Sequence, residues 1–344
     1  MHRLLKFLMA VIFVINTSDI FAQFQTEVSG VGTHAAEFLV IGVGARAMGM
    51  GGAYAAVAND PTALYYNPAG IVWMDNIQIE VMHNEWLVET DYDFIGATMP
   101  LPFWNSSIGV SLIMLNFGEQ PVRTVERPEG TGERYSAESY AAAFSFASAL
   151  TENFSFGLSV KYIHEKIWHV SGGAAALDLG IFYNTPYEGL RLGMSMSNYG
   201  GDLSLSGRDL DTTVDPDLIN DGVWRVPVTY KTGGYPLPLL FRFGLSYEQP
   251  LGVFGSMILA TDLNHPSNST ESINLGIEYS YAGVFFLRAG YENLYEQDAI
   301  NGLTLGGGVD YLMPGEIGFR VDYAFSDWGP FESAHRFSLG LTFN

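Results

Sequence analysis

Ile317-Gly318-Phe319-Arg320-Val321-Asp322-Tyr323-Ala324-Phe325 decides the fold of this chain. Successive side chains of a strand point to opposite faces, so Ile317, Phe319, Val321, Tyr323 and Phe325 share one face and Arg320 and Asp322 the other. A soluble sandwich would bury the apolar face and leave a richly charged face in water. The opposing faces here carry Gly, Ser and Ala with scattered charges, which suits an enclosed lumen. Charge on a lipid-facing midplane costs about 2–4 kcal/mol, so a consistent charge parity argues for a transmembrane barrel. In segment 272–281, Ile273, Leu275, Ile277 and Tyr279 lie together and Glu278 falls opposite. The same division separates Lys161, Asp178, Arg191, Arg242, Arg288 and Asp310 from the apolar faces of their strands.

Period-2 alternation runs outward from this segment over everything from Asn76 to the C-terminus. It marks fourteen strands: 77–88, 91–100, 106–117, 138–150, 153–165, 172–184, 189–198, 237–248, 253–263, 272–281, 283–292, 302–312, 315–325 and 335–343. Most have the ~10-residue length that a tilted membrane strand needs. Connections after even-numbered strands are all short, whereas 118–137, 199–236, 264–271, 293–301 and 326–334, after odd strands, are longer. Short periplasmic turns alternating with long extracellular loops fit an even-stranded antiparallel barrel whose first and last strands start and end in the periplasm. The connection near 88–91 departs from this rule. The closing Arg336-Phe337-Ser338-Leu339-Gly340-Leu341-Thr342-Phe343-Asn344 is an alternating strand that ends one residue after an aromatic.

Composition agrees. Charged residues make up 15% of the 344, too few to coat an ordinary water-facing surface, and aromatics make up 14%. Residues 1–22 read as a secretory signal: Arg3 and Lys6 precede the apolar run from Phe7 to Ile15, and Ile20-Phe21-Ala22 forms a small-residue cleavage site. The chain has no Cys, which removes both a disulfide framework and a lipoprotein anchor after that site. No other run approaches the ~18 apolar residues of a membrane helix. A net charge of −21 argues against nucleic acid as a partner. The expected localisation is the outer membrane of a Gram-negative bacterium, crossed many times.

Between the signal and the first strand, residues 23–75 form an expected hatch or plug of short helix and coil. Its centre is Gly42-Val43-Gly44-Ala45-Arg46-Ala47-Met48-Gly49-Met50-Gly51-Gly52-Ala53, and further on come Asn59-Asp60-Pro61 and Asn67-Pro68-Ala69-Gly70. Small residues let backbone approach backbone but cannot build a core of their own, so the segment needs a surrounding wall. A short helix is expected over about Ala45 to Ala58, ended or capped near Asp60-Pro61. Asn67 fits a turn in which its side chain caps local backbone while Pro68 sets the chain direction.

The run from Gly42 to Gly70, with its Arg46–Ala53 core and Asn67-Pro68-Ala69-Gly70 motif, resembles the N-terminal signature of the PorV/PorQ family of outer-membrane proteins, within the wider FadL-like barrel superfamily. The fourteen-strand count and the His335-Arg336-Phe337-Ser338-Leu339-Gly340 terminus are similar in architecture. The resemblance implies a type IX secretion component that binds secreted cargo proteins and carries them to a surface attachment complex. FadL-like relatives instead imply a hatch-gated channel for hydrophobic small molecules. Hatch and gating candidates are Arg46, Gly49, Gly51, Gly52, Asp60, Asn67 and Pro68.

Other constellations weigh less. Gly42, Gly44, Gly49, Gly51 and Gly52 lack the Lys-Ser/Thr of a phosphate loop and its strand-then-helix setting, so close packing explains them better than a nucleotide. The seven histidines show no metal-ligand spacing, and no nucleophile-elbow motif supports hydrolase chemistry, so a non-enzymatic protein without cofactor or metal is expected. Asp209, Asp211, Asp215, Asp217 and Asp221 lack EF-hand spacing and suit a solvated acidic loop. Trp224, Tyr230 and Tyr235 in the same loop either dock a protein partner or pack against neighbouring loops as a lid. Trp86, Trp104 and Trp168, at strand ends, fit an aromatic girdle.

Overall fold

The computed structural model describes residues 30–216, 225–296, 299–313, 317–331 and 333–343, so the signal region 1–22, Trp224, Asp217 and Asp221 lie outside the described residues. The barrel strands are β1 Ile77–Trp86, β2 Thr90–Leu101, β3 Ser106–Pro121, β4 Arg134–Thr151, β5 Phe154–Ile167, β6 Val170–Asn184 and β7 Leu190–Gly200. They continue as β8 Leu240–Pro250, β9 Ser256–Pro266, β10 Ser272–Tyr281, β11 Phe285–Leu294, β12 Leu303–Met313, β13 Ile317–Asp327 and β14 Ser333–Phe343. Each pairs antiparallel with both neighbours, and β1 closes on β14 with Ile77 opposite Phe343 and Glu85 opposite His335. All fourteen expected strands are present. Closure leaves no sheet edge, the condition for burying a sheet in lipid.

The alternation decides which face is which. Val81, Ile95, Val110, Phe144, Val160, Phe243, Leu287, Val321 and Phe337 lie exposed on the outer wall, while Lys161, Asp178, Arg242, Glu278, Arg288 and Asp322 are buried inside. An outward apolar belt on a closed sheet is the form of a barrel that crosses an outer membrane many times. Connections at one end are short turns, including 102–105, 152–153 and 282–284, which by the loop-length rule of such barrels makes it the periplasmic end. The other end carries the long loops 122–133 and 201–239. Two extracellular connections are tight: 87–89, and Trp168-His169, because β5 and β6 run on in register to Ile167 opposite Val170.

The middle of the lumen is packed with protein side chains. Val43, Met50, Tyr54, Leu64, Tyr66 and Ile71 of the N-terminal segment are among the largest fully buried side chains. From Gly30, its first described residue, the segment lies at the extracellular mouth, where Ala35 N–H donates to Pro236 O at 3.0 Å and Asn268 donates to the Glu37 carboxylate at 2.5 Å. It then descends through α1 Ala45–Gly49, α2 Ala63–Tyr66 and the 3-10 turn Pro68–Trp73, and leaves at the periplasmic end to start β1. Serine, alanine and glycine on the inner wall make room for it. The helix expected to reach Ala58 stops at Gly49, because Gly51 and Gly52 adopt φ of 64° and 66°, a left-handed turn no helix can continue through.

Candidate functional site

The N-terminal segment meets the wall through two contrasting contacts. On one flank α1 packs on β12 and β13. Gly49 on α1 and Gly306 on β12 allow this, since a Cβ on Gly49 would sit 3.1 Å from Gly306 Cα. Arg46, buried on α1, makes a two-pronged bond to Glu278 of β10, Nε to Oε2 at 2.9 Å and Nη2 to Oε1 at 2.8 Å. Its Nη1 donates to Asn59 at 2.6 Å and Asp60 at 3.2 Å. Glu278 also accepts from Arg288 Nε at 2.6 Å, and Arg288 Nη1 donates to Asp322 at 2.6 Å. Arg320 closes the ring, 3.6 Å from Asp60 and 3.7 Å from Asp322. Buried charges survive in such a place only when paired and hydrogen-bonded. Here three guanidiniums meet three carboxylates.

Asp60 does more than end a helix. Its Oδ1 accepts from Thr62 N–H at 3.1 Å and the Thr62 hydroxyl, starting α2, and its Oδ2 accepts from the Tyr54 hydroxyl. Burial opposes its charge, but Arg46 and Arg320 outweigh that and hold the Asp60 carboxyl below its ordinary value.

On the opposite flank the turn Pro68–Trp73 packs on β4, β5 and β6. A Cβ on Gly180 would fall 2.3 Å from Asn67 Oδ1, and one on Gly157 2.4 Å from Ala69 N, so only glycine admits this approach. Asn67 Oδ1 accepts from Ala69 N–H at 3.2 Å, the cap read from the sequence, and its Nδ2 donates to Ala55 O at 2.8 Å and Ile181 O at 2.9 Å. One amide therefore ties the turn, the middle of the segment and the wall together. Ser155 donates to Ala69 O at 2.9 Å and accepts from Trp73 Nε1 at 3.1 Å. Between the flanks, Asp262 accepts from Tyr54 N–H and Ala55 N–H, each at 2.9 Å.

Two cavities border the segment. The extracellular one, about 240 Å³, is lined by Ile41, Met48, Tyr65, Trp86, Arg242 and Arg336 among others. The periplasmic one, about 450 Å³, is lined by Arg46, Asn59, Pro61, Glu80 and Arg320 among others. Met48 borders the first and Arg46 the second, so α1 contributes to both linings, with the buried Met50, Tyr54 and Tyr66 of the same segment packed beside it.

The structure thus brings Arg46, Gly49 and Asp60 to the charged flank, and Asn67 and Pro68 to the close-packed one. Gly51 abuts the wall at Leu275 O and Tyr291 N, both 2.7 Å from a built Cβ, and Gly52 lines the extracellular cavity. Tyr230 and Tyr235 are elsewhere, exposed on the extracellular loop, while Leu203 and Leu237 anchor that loop in the core. Trp86 is not part of an aromatic girdle. It has the parity of Met82 and Asn84, points into the lumen, and carries the Arg336 guanidinium 5.1 Å from its ring centre. That parity was readable, as were Arg336 and Glu292 on the inner faces of their strands. Among the described residues no group of three or more His, Asp or Glu side chains could hold a metal ion.

No family model matches the chain, and no curated protein matches it by sequence. Solved structures do match in fold. The Pseudomonas putida toluene transporter TodX is similar at 14% identity and a TM-score of 0.60, covering 88% of this chain and 98% of TodX. A Pseudomonas aeruginosa FadL homologue is similar at 12% identity and a TM-score of 0.56, with 88% and 98% covered. The Ralstonia pickettii toluene transporter TbuX is similar at 16% identity and a TM-score of 0.52, with 88% and 97% covered. These likenesses are of fold. The chain folds as a closed fourteen-stranded antiparallel barrel of the outer-membrane type, the fold it shares with these structures.

Proposed function

We propose that this chain is an outer-membrane uptake channel in which the N-terminal segment is a hatch that gates small, predominantly apolar molecules. The observation that carries this reading is that the N-terminal segment lies between an extracellular cavity and a periplasmic one, with Met48 of α1 lining the first and Arg46 of α1 the second. The apolar class of the solute is supported by Val40, Ile41, Met48 and Leu240 in the lining of the outer cavity, and by toluene transport in the names of the neighbours TodX and TbuX. Gating would require α1 to leave β12 and β13, breaking the Arg46–Glu278 pair.

The chain's lack of cysteine gives a direct test. Ala45 N–H donates to Ser338 Oγ at 2.9 Å, so Ala45→Cys with Ser338→Cys places two thiols across the moving contact. Oxidised protein in vesicles should fail to admit toluene, and reduction should restore uptake. Uptake equal in both states would overturn the gate.

One observation favours a second reading, the cargo-binding component of a type IX secretion system that the N-terminal signature implies. The wall is paired all round, and Tyr230 and Tyr235 stand 66% and 54% exposed above it, a surface suited to a protein partner. Under that reading Tyr230→Ala with Tyr235→Ala should abolish co-purification of secreted proteins, while the disulfide lock should leave it unchanged.

A further inference from the structure

The extracellular cavity carries more hydrogen-bonding capacity than a hydrocarbon can use. Arg242 and Arg336 both line it and are 8% and 0% exposed. Arg242 Nη2 donates to the Tyr65 hydroxyl at 3.3 Å, and its guanidinium lies 5.1 Å from the Tyr65 ring centre. Arg336 Nη1 donates to Ser326 Oγ at 2.9 Å. Neither belongs to a salt bridge among the described residues, in contrast to Arg46, Arg288 and Arg320, each of which pairs with a carboxylate. Arg242 Nη1, Arg336 Nε and Nη2, and Trp328 Nε1 are buried with no hydrogen-bond partner.

The imbalance has a direction. Those four unpartnered atoms are donors, and the cavity sets against them one unpartnered acceptor, Asn264 Oδ1. The two carboxylates in the lining are engaged: Asn301 donates to Glu292 at 2.9 Å and Ser269 to Glu296 at 2.6 Å. A buried donor left unmade costs about 1–3 kcal/mol, and more when charged. A guanidinium pair that keeps several such donors is matched by an incoming carboxylate, whose two oxygens accept several hydrogen bonds each. The lining also presents apolar and aromatic carbon from Val40, Ile41, Met48, Leu240, Tyr65 and Trp86, beside neutral amides and hydroxyls such as Asn268, Asn274 and Ser272. Its volume, about 240 Å³, lies below the range for drug-sized ligands, which leaves room for a compact body and not for a long one.

We infer that the cavity is a binding site for a compact organic acid, one carboxylate borne on a small apolar or aromatic body, received by Arg242 and Arg336 with Trp328 completing the donor set. This deepens the channel reading by naming the substrate class, and it rests on that reading only for the direction of transport. Binding itself needs no hatch movement.

The test is equilibrium binding of benzoate, toluene and inorganic phosphate to the full-length protein in detergent. Tryptophan fluorescence reports on Trp86 and Trp328, and calorimetry serves as an independent readout. Benzoate should bind at least about tenfold more tightly than either of the others, a difference of about 1.4 kcal/mol. Arg242→Gln should erase that preference while leaving toluene where it was. Trp328→Phe, which removes one donor and keeps the ring, should weaken benzoate by a smaller factor and covers the case in which Arg242→Gln does not fold. Toluene binding as tightly as benzoate overturns the inference. So does phosphate matching benzoate, or benzoate affinity that neither substitution moves. The Ala45→Cys, Ser338→Cys disulfide form should still bind benzoate. If it binds while uptake ignores the lock, the gate fails and the site stands; if it gates toluene but no form of the protein prefers benzoate, the site fails and the gate stands.

Discussion

The hatch is held on one flank by charge and on the other by shape. Arg46, Glu278, Arg288, Asp322, Arg320 and Asp60 bind α1 to β10–β13, whereas Asn67–Gly70 sits against β5 and β6 where Gly157 and Gly180 have no side chain to keep it out. The flanks lie about half a circumference apart on a fourteen-strand wall. A charge clamp loses most of its strength over a small displacement or on loss of one proton acceptor, because each charge then lies buried and unpaired. Interlocked backbone has no such weak direction. Under the proposed gate, the charged flank is the one that would release and the close-packed flank the hinge about which α1 would move.

The sharpest way to break this contrast is Arg46→Ala. Removing one partner of a buried pair costs about 3–5 kcal/mol, because Glu278 keeps its charge with half its partners gone. In planar bilayers the variant should conduct persistently where the parent protein is closed. Conductance equal to the parent's would mean the clamp does not hold the hatch shut. Smaller, and opposite in kind, is Gly180→Ala, where the added Cβ meets Asn67 Oδ1 at 2.3 Å. Overpacking of this sort costs about 1–3 kcal/mol. It should lower the temperature at which the barrel unfolds in a heat-modifiability gel without opening the pore. A conducting Gly180→Ala protein would show that both flanks gate.

Asn67→Ala should cost about 1 kcal/mol for each hydrogen bond it removes to Ala55 O and Ile181 O. Its signature is faster proteolysis within the hatch, with the closed level of conductance kept. The smallest effect is that of pH. Arg46 and Arg320 hold the Asp60 carboxyl below its ordinary value of 3.8, so its contribution to the clamp is complete above that pH and is lost as pH falls through the lowered value. Conductance should stay flat from pH 7 to about 4 and rise only under stronger acid. A rise already near pH 6 would place the sensitive group outside the clamp.

Legibility followed the physics of each level. Alternation along β13 and the parity of Arg320 and Asp322 were sufficient to choose a barrel, since a charge in the wrong register would face lipid. Parity also placed Glu278, Arg288 and Arg242 in the lumen, and it would have placed Trp86 there had it been applied beyond the charged residues. The turn at Asn67-Pro68 was readable because an Asn cap is a local device. The end of α1 was not, because the Gly51-Gly52 turn is forced by the wall at Leu275 and Tyr291 as much as by the glycines themselves.

By itself, then, the sequence determined the class of fold, the number of strands, the side of the wall on which each charge lies and the small-residue character of the hatch. All of these are set by neighbours two residues apart or by the chain's own backbone preferences. Only the tertiary structure decided that the described part of the hatch runs from the extracellular mouth through the lumen to the start of β1. It alone decided that Arg46 meets Glu278, 232 positions away, and that Arg242 and Arg336 share a cavity in which, among the described residues, neither forms a salt bridge. Contacts across a closed barrel join residues whose separation along the chain carries no periodic signal. They come into being only when the ring of strands closes around the segment it contains.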